Sequence, residues 1–478
     1  MSTLPSQECG VVVVGMGMAG LVVANRLAEL GVDVIIIDKQ PDGWWIGGDM
    51  IIAGQAIHIC GLSPMMPEDQ LMKIIEEHTD GKVIPELATA LVKNCHQAMS
   101  WLIAKGVEFE EPPGRERVVK PRKPASGPWG LIKPGAVYDS SKYGGYRAMK
   151  LLESQLMKAG VKVMYETKAE RLLIGPKGNI VGIVAKGRDG LFEIRSKATI
   201  LCTGGFQRNK EMLLRYIGPH VDQVPVFSEP GATGDGLLMA LEVGADVRSM
   251  NYMSFFAWPE VACVNEDAMY LNINPIGVEG IIVNKKGQRF CDESLGNNVY
   301  GSIMAKLSLE TVGLMVIDEI IYRKVKSVVE SVLEFKGTVY SADTIEELAG
   351  KAGVSPFLVN TVDEFNKAVD EGKTSRLGIP KVANVNKITT PPFYGIPFTL
   401  GQNATNGGLL VNGKGEVLDR DSKPIPGLYA AGAIMQGSLS GGSENRYGSY
   451  VGHLATCLVF GILSAENASE WAKTRMNG

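Results

Sequence analysis

Four consecutive valines, Val11 to Val14, run straight into Gly15-Met16-Gly17-Met18-Ala19-Gly20, and no other stretch constrains the fold as strongly. A β-branched run of this kind reads as a strand. The apolar stretch that follows reads as a helix, and a second strand, Val32 to Ile37, ends at Asp38. Strand, glycine turn, helix, and a further strand with an acid at its tip form the frame of a dinucleotide-binding unit. Gly15 permits the tight turn. Gly17 lets the backbone approach a pyrophosphate at the helix N-terminus, and Gly20 lets helix and strand meet closely. Asp38 stands where a carboxylate can accept hydrogen bonds from a ribose.

At 478 residues, 45% of them apolar and 21% charged, the chain has room for two or three globular domains. A net charge of −4 gives no bulk attraction to nucleic acid or anionic membrane, so neither is expected as a partner. The basic cluster Arg115, Arg117, Lys120, Arg122 and Lys123, interleaved with prolines, reads as a solvated loop, with a lid or an acidic contact as the alternative. The seven cysteines form no C-x-x-C. Cys202, Cys263 and Cys457 sit in apolar runs and are expected to be buried. That usage fits a reducing, cytoplasmic compartment. The N-terminus carries no signal-peptide pattern, and no uncharged apolar run reaches the ~18 residues of a membrane span. The five histidines show no metal-ligand spacing, so no metal is expected.

Further along, residues 66–105 carry apolar positions at helical spacing, and 106–145 read as Pro/Gly-rich loop. An amphipathic helix over 146–159 leads to a strand, Val161 to Tyr165, and a hairpin around Lys177-Gly178. A buried strand, Ala198 to Cys202, ends in Thr203-Gly204-Gly205-Phe206. The middle changes character, with an aromatic and methionine cluster at Tyr252–Trp258, a strand from Gly280 to Asn284, and helices near 297–308 and 357–369. The cluster reads as core or as the wall of an apolar pocket. The C-terminal part returns to the earlier style, with strand Gly427 to Gly432, a Gly/Ser-rich loop and a last helix from about Gly452. The expected fold is α/β: a Rossmann-like domain with a parallel sheet, discontinuous over 1–247 and 389–478, and an inserted α+β cap at 248–388.

The ordered landmarks Gly15-x-Gly17-x-x-Gly20 with Asp38, Thr203-Gly204-Gly205-Phe206, Thr233-Gly234-Asp235-Gly236, Asn284-x-x-Gly287-x-Arg289-Phe290-x-Asp292-Glu293, Pro426–Gly432 and Val459-Phe460-Gly461 cover nearly the whole chain. Together they resemble the flavoprotein family of soluble fumarate reductases, succinate dehydrogenase flavoprotein subunits and 3-ketosteroid dehydrogenases. The resemblance implies FAD, a flavin-binding domain with a cap, and hydride transfer at flavin N5. It places Gly15, Gly17, Met18, Ala19 and Gly20 at the pyrophosphate and Asp38 with Lys39 at the adenosine. Gly47, Gly48 and Asp49 would run under the phosphates and flavin, and Ala169 would touch the adenine through its backbone. Thr203, Gly204 and Asp235 would flank the dinucleotide. Gly432 and the helix start at Gly452, His453 and Leu454 would face the ribityl chain and flavin, with the helix dipole favouring negative charge there. Family members usually carry glutamate after Ala-Ala-Gly; this chain has Ala433, so a ribityl contact is missing or replaced. His58 lies near the region of histidine attachment in covalent members but out of register, so noncovalent FAD is expected.

The fumarate branch uses an arginine shortly after the Asp-Glu pair and a histidine before the following Gly-Gly. Here those stretches read Ser294 to Tyr300 and Gln402 to Asn406, with neither residue type. In the ketosteroid branch, tyrosines stabilise an enolate and take the α-proton. Tyr447 falls on the enolate-stabilising tyrosine, with an amide of Val451 or Gly452 as oxyanion partner. Tyr300 lies one helical turn beyond the basic tyrosine's position, Asn297. Tyr447 also reads as a loop anchor and Tyr300 as cap packing. Arg446 resembles a substrate-clamping arginine. The resemblance thus implies an FAD-dependent enzyme desaturating a cyclic ketone or 3-ketosteroid, with an external electron acceptor or donor. An enoate reductase for a monocarboxylate and a flavin electron-transfer subunit of a larger complex are the alternatives.

Overall fold

The computed structural model describes residues 4–42, 48–51, 56–58, 67–79, 81–110, 129–132, 144–219, 221, 224–265, 268, 271–296, 301, 303, 312–443, 446–450 and 452–474. The valine run forms β1 (Ser6–Val14), followed by α1 (Met18–Glu29) and β2 (Val34–Ile37). β1 lies between β2 and the strand Gly190–Leu201, parallel to both, with Val12 opposite Ile35 and Val13 opposite Ile200. Covered on both faces, Val11 to Val13 are fully buried, which is why four apolar residues in a row are tolerated there.

The sheet has eight strands. Lys162–Met164 extends it beyond β2, and Pro424–Ala430 joins Gly190–Leu201 in parallel from the other side. Glu416–Leu418 and the Lys168–Ile174/Ile180–Gly187 hairpin add antiparallel strands. A sheet assembled from residues 6–201 and 416–430 is discontinuous in sequence, as expected. Three helices cover the glycine-turn side. Asn25 of α1 donates to the Leu152 carbonyl of Gly144–Lys158 at 3.1 Å. Arg26 pairs with Glu466 of the last helix, His453–Thr474, at 2.6 Å. That last helix is apolar nearly all round because it is wedged between α1 and the sheet, where Trp471 donates to the Lys197 carbonyl.

A second sheet of five antiparallel strands joins Met253–Pro259, Phe393–Thr405, Val312–Ile317, Ile281–Val283 and Tyr340–Ala342. Its longest strand, Phe393–Thr405, starts after the expected cap boundary at 388, so this sheet reaches further along the chain than composition suggested. Side-chain caps fix the helices beside it: buried Asp318 accepts from the Ile321 amide at 2.9 Å and exposed Thr344 from that of Glu347 at 3.1 Å.

Other local expectations need correction. The helical stretch 66–105 is two helices, Glu68–His78 and Pro85–Ala104, broken where Gly81 takes φ +68 and Pro85 opens the next helix. The 106–145 stretch contains strands Phe109–Glu110 and Trp129–Ile132, which join Ala56–His58 in a three-stranded sheet. Cys263 is exposed at the end of the turn Glu260–Cys263, whereas Cys202 and Cys457 are buried. The basic cluster at 115–123 and the expected helix near 297–308, apart from residues 301 and 303, lie outside the described residues. No helix among the described residues is long and apolar enough to cross a membrane.

Candidate functional site

The glycine turn is built by exclusion of side chains. Gly15 takes φ +98, and a Cβ there would stand 2.5 Å from the Cys202 carbonyl oxygen. A Cβ on Gly20 would stand 1.9 Å from the oxygen of Gly15, so the helix can begin this close to β1 only with glycine. Gly17 is the N-cap of α1, and Met18 and Ala19 form its buried first turn. The turn therefore presents backbone amides at a helix N-terminus, the geometry that accepts a diphosphate.

Asp38 has a task that spacing did not reveal. Its carboxylate accepts from the amides of Met16 at 2.6 Å and Gln40 at 2.8 Å, and so fixes the glycine turn against the end of β2. Burial raises its pKa, and the two backbone hydrogen bonds oppose that rise. Each oxygen keeps a lone pair for a ribose hydroxyl. Lys39, next to it, donates to Thr233 at 2.6 Å and pairs with Asp235 at 2.7 Å, which ties the tip of β2 to the start of helix Asp235–Glu242.

Asp49 heads a polar network that sequence reading missed. It accepts from the Glu229 amide at 2.7 Å, the Ser228 hydroxyl at 3.0 Å and the Gln207 amide at 2.8 Å. Glu229 in turn accepts from the Gly231 amide at 2.6 Å. Gly48 brings this network to the turn, since a Cβ on it would lie 3.7 Å from the Gly17 Cα. Burial pushes the Asp49 carboxyl up to about 6. Burial, and then the charge of Asp49, pushes Glu229 up to about 7. Burial thus disfavours the charged form of both acids beside a diphosphate site.

A pH dependence follows. Acids whose values rise on folding stabilise the fold fully below their unfolded values, near ~4, and that stabilisation is lost as pH rises through their folded values. Glu229→Gln keeps an acceptor for the Gly231 amide but cannot ionise. Its melting temperature relative to the unmodified protein is expected to climb between pH 5 and pH 8. A constant offset across that range would exclude the acid pair as its source.

The remaining expected residues distribute as follows. Ala169 is buried in the strand Lys168–Ile174, opposite Ala185. Thr203 follows the strand Gly190–Leu201, and its buried Oγ1 has no partner among the described residues. Gly204 takes φ +72, and a Cβ there would meet open space. Gly432 takes φ +82, and a Cβ on it would lie 2.8 Å from Ala19 Cβ and 3.1 Å from Cys457 Sγ. It therefore sits where the first turns of α1 and the last helix converge. Gly452 precedes that helix, and His453 and Leu454 begin it. Open space over Gly204 and two helix N-termini fit the implied FAD. Gly47 and Tyr300 lie outside the described residues. Arg446 and Tyr447 open the strand Arg446–Tyr450, which pairs with Ser440–Ser443 and lies beside Met253–Pro259. Their side chains are outside what is described.

The aromatic cluster divides. Met253, Phe255 and Ala257 enter the main core, whereas Trp258 meets Phe227 at 5.0 Å between ring centroids in a separate small cluster. The strand Phe393–Thr405 links the sheets, because Thr405 Oγ1 accepts from the Phe206 amide at 3.1 Å. Its pairing slips between Ser254 and Phe255, leaving Asn403 as the extra residue of a bulge. The buried Asn403 Oδ1 has no partner among the described residues.

The chain matches the family described as FAD binding domain over residues 10–447. It is 28% identical over 478 residues to the probable fumarate reductase Ifc3 of Shewanella frigidimarina, covering 98% of this chain and 76% of that protein. It is 28% identical over 487 residues to the urocanate reductase of Eggerthella lenta, covering 97% and 75%. The structure of 3-ketosteroid-delta4-(5alpha)-dehydrogenase from Rhodococcus jostii RHA1 in complex with 4-androstene-3,17-dione is similar over 97% of each chain, with 25% identity and a TM-score of 0.77.

Proposed function

Since the chain belongs to the FAD binding domain family and is an FAD-dependent oxidoreductase acting on CH–CH and C=C bonds, we propose that its own reaction is the desaturation of a cyclic ketone. Asn403 carries this reading. It is a neutral amide at a bulge in the strand that connects the cap sheet to the Phe206 loop. Such an amide can hydrogen-bond a carbonyl or hydroxyl, but it supplies no charge to hold a second carboxylate. The neighbouring strand Met253–Pro259 is largely apolar.

FAD, when bound, takes up or returns a hydride at N5. The chain's own part is to orient the ketone and move the α-proton. The Tyr447 hydroxyl and the Gly452 amide would hold the carbonyl oxygen as it gains charge, and Tyr300 would take the proton. The last helix starts at His453, and its positive end would favour that charge. The expected partners are a small carbonyl substrate and an external electron acceptor.

The test is anaerobic bleaching of the flavin band. A saturated cyclic ketone should bleach it, and reduced dye should not drive appreciable fumarate reduction. Acid precipitation should leave the flavin in the supernatant, since His58 is expected not to be an attachment point. Arg446, together with the likeness to the urocanate reductase, favours a second reading: reduction of an unsaturated monocarboxylate. Reoxidation of the reduced flavin by such acids, with no bleaching by any ketone, would establish that reading instead.

A further inference from the structure

The strand at Asn403 is tied down on both sides of that residue. Before it, the Gln402 amide donates to the Pro225 carbonyl at 2.9 Å, and the Gln402 carbonyl accepts from the Phe227 amide at 2.8 Å. After it, Thr405 Oγ1 accepts from the Phe206 amide at 3.1 Å and donates to Gln207 Oε1 at 3.4 Å. Gln207 is 1% exposed, and its amide nitrogen donates to Asp49 Oδ2 and to Ser228 Oγ, each at 2.8 Å. Ser228 Oγ closes the ring by donating to Asp49 Oδ1 at 3.0 Å. Ser228 follows Phe227 directly, and Asp49 follows Gly48, whose added Cβ would meet the Gly17 Cα. One buried amide therefore joins three segments: the strand that carries Asn403, the segment that braces this strand, and the loop beside the glycine turn.

The chemistry of the position matches a primary amide, which offers two donors and an acceptor on one planar group. A glutamate would set a second carboxylate against Asp49, and an apolar side chain would leave Asp49, Ser228 and Thr405 each short of a partner. Gly205 makes the approach possible, since a Cβ on it would collide with both Thr405 Oγ1 and Gln207 Oε1. We propose that Gln207 is a positioning residue that fixes the Asn403 strand against the cofactor loop and so sets the spacing between substrate and flavin. The proposal rests on the reading that the substrate meets this strand at Asn403. The glycine turn belongs to the eight-stranded sheet and Asn403 to the five-stranded one. Hydride transfer tolerates little play between two such scaffolds, since a misplacement of about 1 Å can cost ~100-fold in rate.

The experiment compares Gln207→Met with the parent as full-length, FAD-loaded protein. Methionine keeps the length of the side chain and removes the amide. With a substrate that the parent turns over, the single-turnover rate of flavin bleaching or reoxidation should fall roughly tenfold to 100-fold. FAD should stay bound, the substrate dissociation constant should move little, and the shift of the flavin band on substrate binding should shrink. Gln207→Glu should also be slow. Adding Asp49→Asn to it rebuilds the bridge with donor and acceptor exchanged, and should restore most of the rate. A parental single-turnover rate in Gln207→Met would overturn the proposal. So would a loss confined to FAD affinity, with a normal rate at saturating FAD, or a double variant whose melting temperature recovers while its rate does not. Asn403→Leu is measured alongside. Parental kinetics in that variant would remove the substrate placement on which the proposal rests, whereas altered kinetics there beside a parental Gln207→Met would overturn the role of Gln207 alone.

Discussion

Glu293→Ala is expected to destabilise the protein by ~3–5 kcal/mol, because it leaves a buried guanidinium without its counter-charge. Glu293 is fully buried and accepts from Arg289 Nε at 2.8 Å, Arg289 Nη2 at 2.7 Å and the Ile282 amide at 3.0 Å. Arg289 donates its remaining nitrogen to the Ile379 carbonyl at 2.7 Å and lies over the Phe365 ring. Close by, Lys381 is also fully buried, bonded to the carbonyls of Val278 and Gly280. Burial lowers its pKa to about 8, and the charge of Glu293 is the main influence holding it up. Removing Glu293 therefore strands two cations and one backbone amide in the interior. Urea unfolding followed by circular dichroism should show the midpoint falling sharply for Glu293→Ala, and less for Glu293→Gln, which keeps an acceptor. A change within the ~0.5 kcal/mol typical of surface substitutions would show that the surroundings relax around the lost charge. The flavin spectrum of protein still folded at low temperature should persist, since this cluster belongs to the five-stranded sheet rather than to the glycine turn.

This cluster also shows what kind of information a motif holds. The landmark Asn284 to Glu293 pointed toward substrate chemistry only by resemblance. In the fold it is a turn, with Asn284 Oδ1 accepting from the Lys286 and Gln288 amides and Gly287 at φ +72, closed by the buried ion pair. The glycine turn after β1 was legible because each glycine answers a local steric demand within a few residues. The valine run was legible as a strand for the same reason, since consecutive β-branched residues favour an extended backbone locally. The Asp49 network was not legible. Its members, Asp49, Gln207, Ser228 and Glu229, are ordinary polar residues far apart in sequence, and only the fold brings them to Gly17. Asn403 was noticed only as an absent histidine. The bulge that makes it distinctive depends on pairing with a strand well over a hundred residues away. Local constraints can thus be read from spacing, whereas long-range polar satisfaction cannot.

Tyr447→Phe is expected to lower turnover about 100- to 1,000-fold, or roughly 3–4 kcal/mol of barrier, if its hydroxyl holds the enolate oxygen, because a preorganised oxyanion donor acts mainly in the transition state. The backbone course is compatible with that role. Tyr447 is on the strand Arg446–Tyr450, beside Met253–Pro259 and just ahead of the last helix. The substitution keeps the aromatic body, so the fold and the flavin content should be retained. A loop anchor would behave differently: loss of one hydroxyl hydrogen bond costs about 1 kcal/mol of stability and lowers the melting temperature, with turnover nearly intact. The two roles therefore move different quantities, and both are measured on the same preparation. Turnover is followed with a ketone identified by flavin bleaching, and melting with flavin bound. A large loss of kcat with an unchanged melting temperature places the hydroxyl on the reacting oxygen. Normal kcat with a lowered melting temperature assigns Tyr447 to the scaffold and transfers the carbonyl oxygen to Asn403 and the Gly452 amide, after which Asn403→Leu becomes the decisive variant.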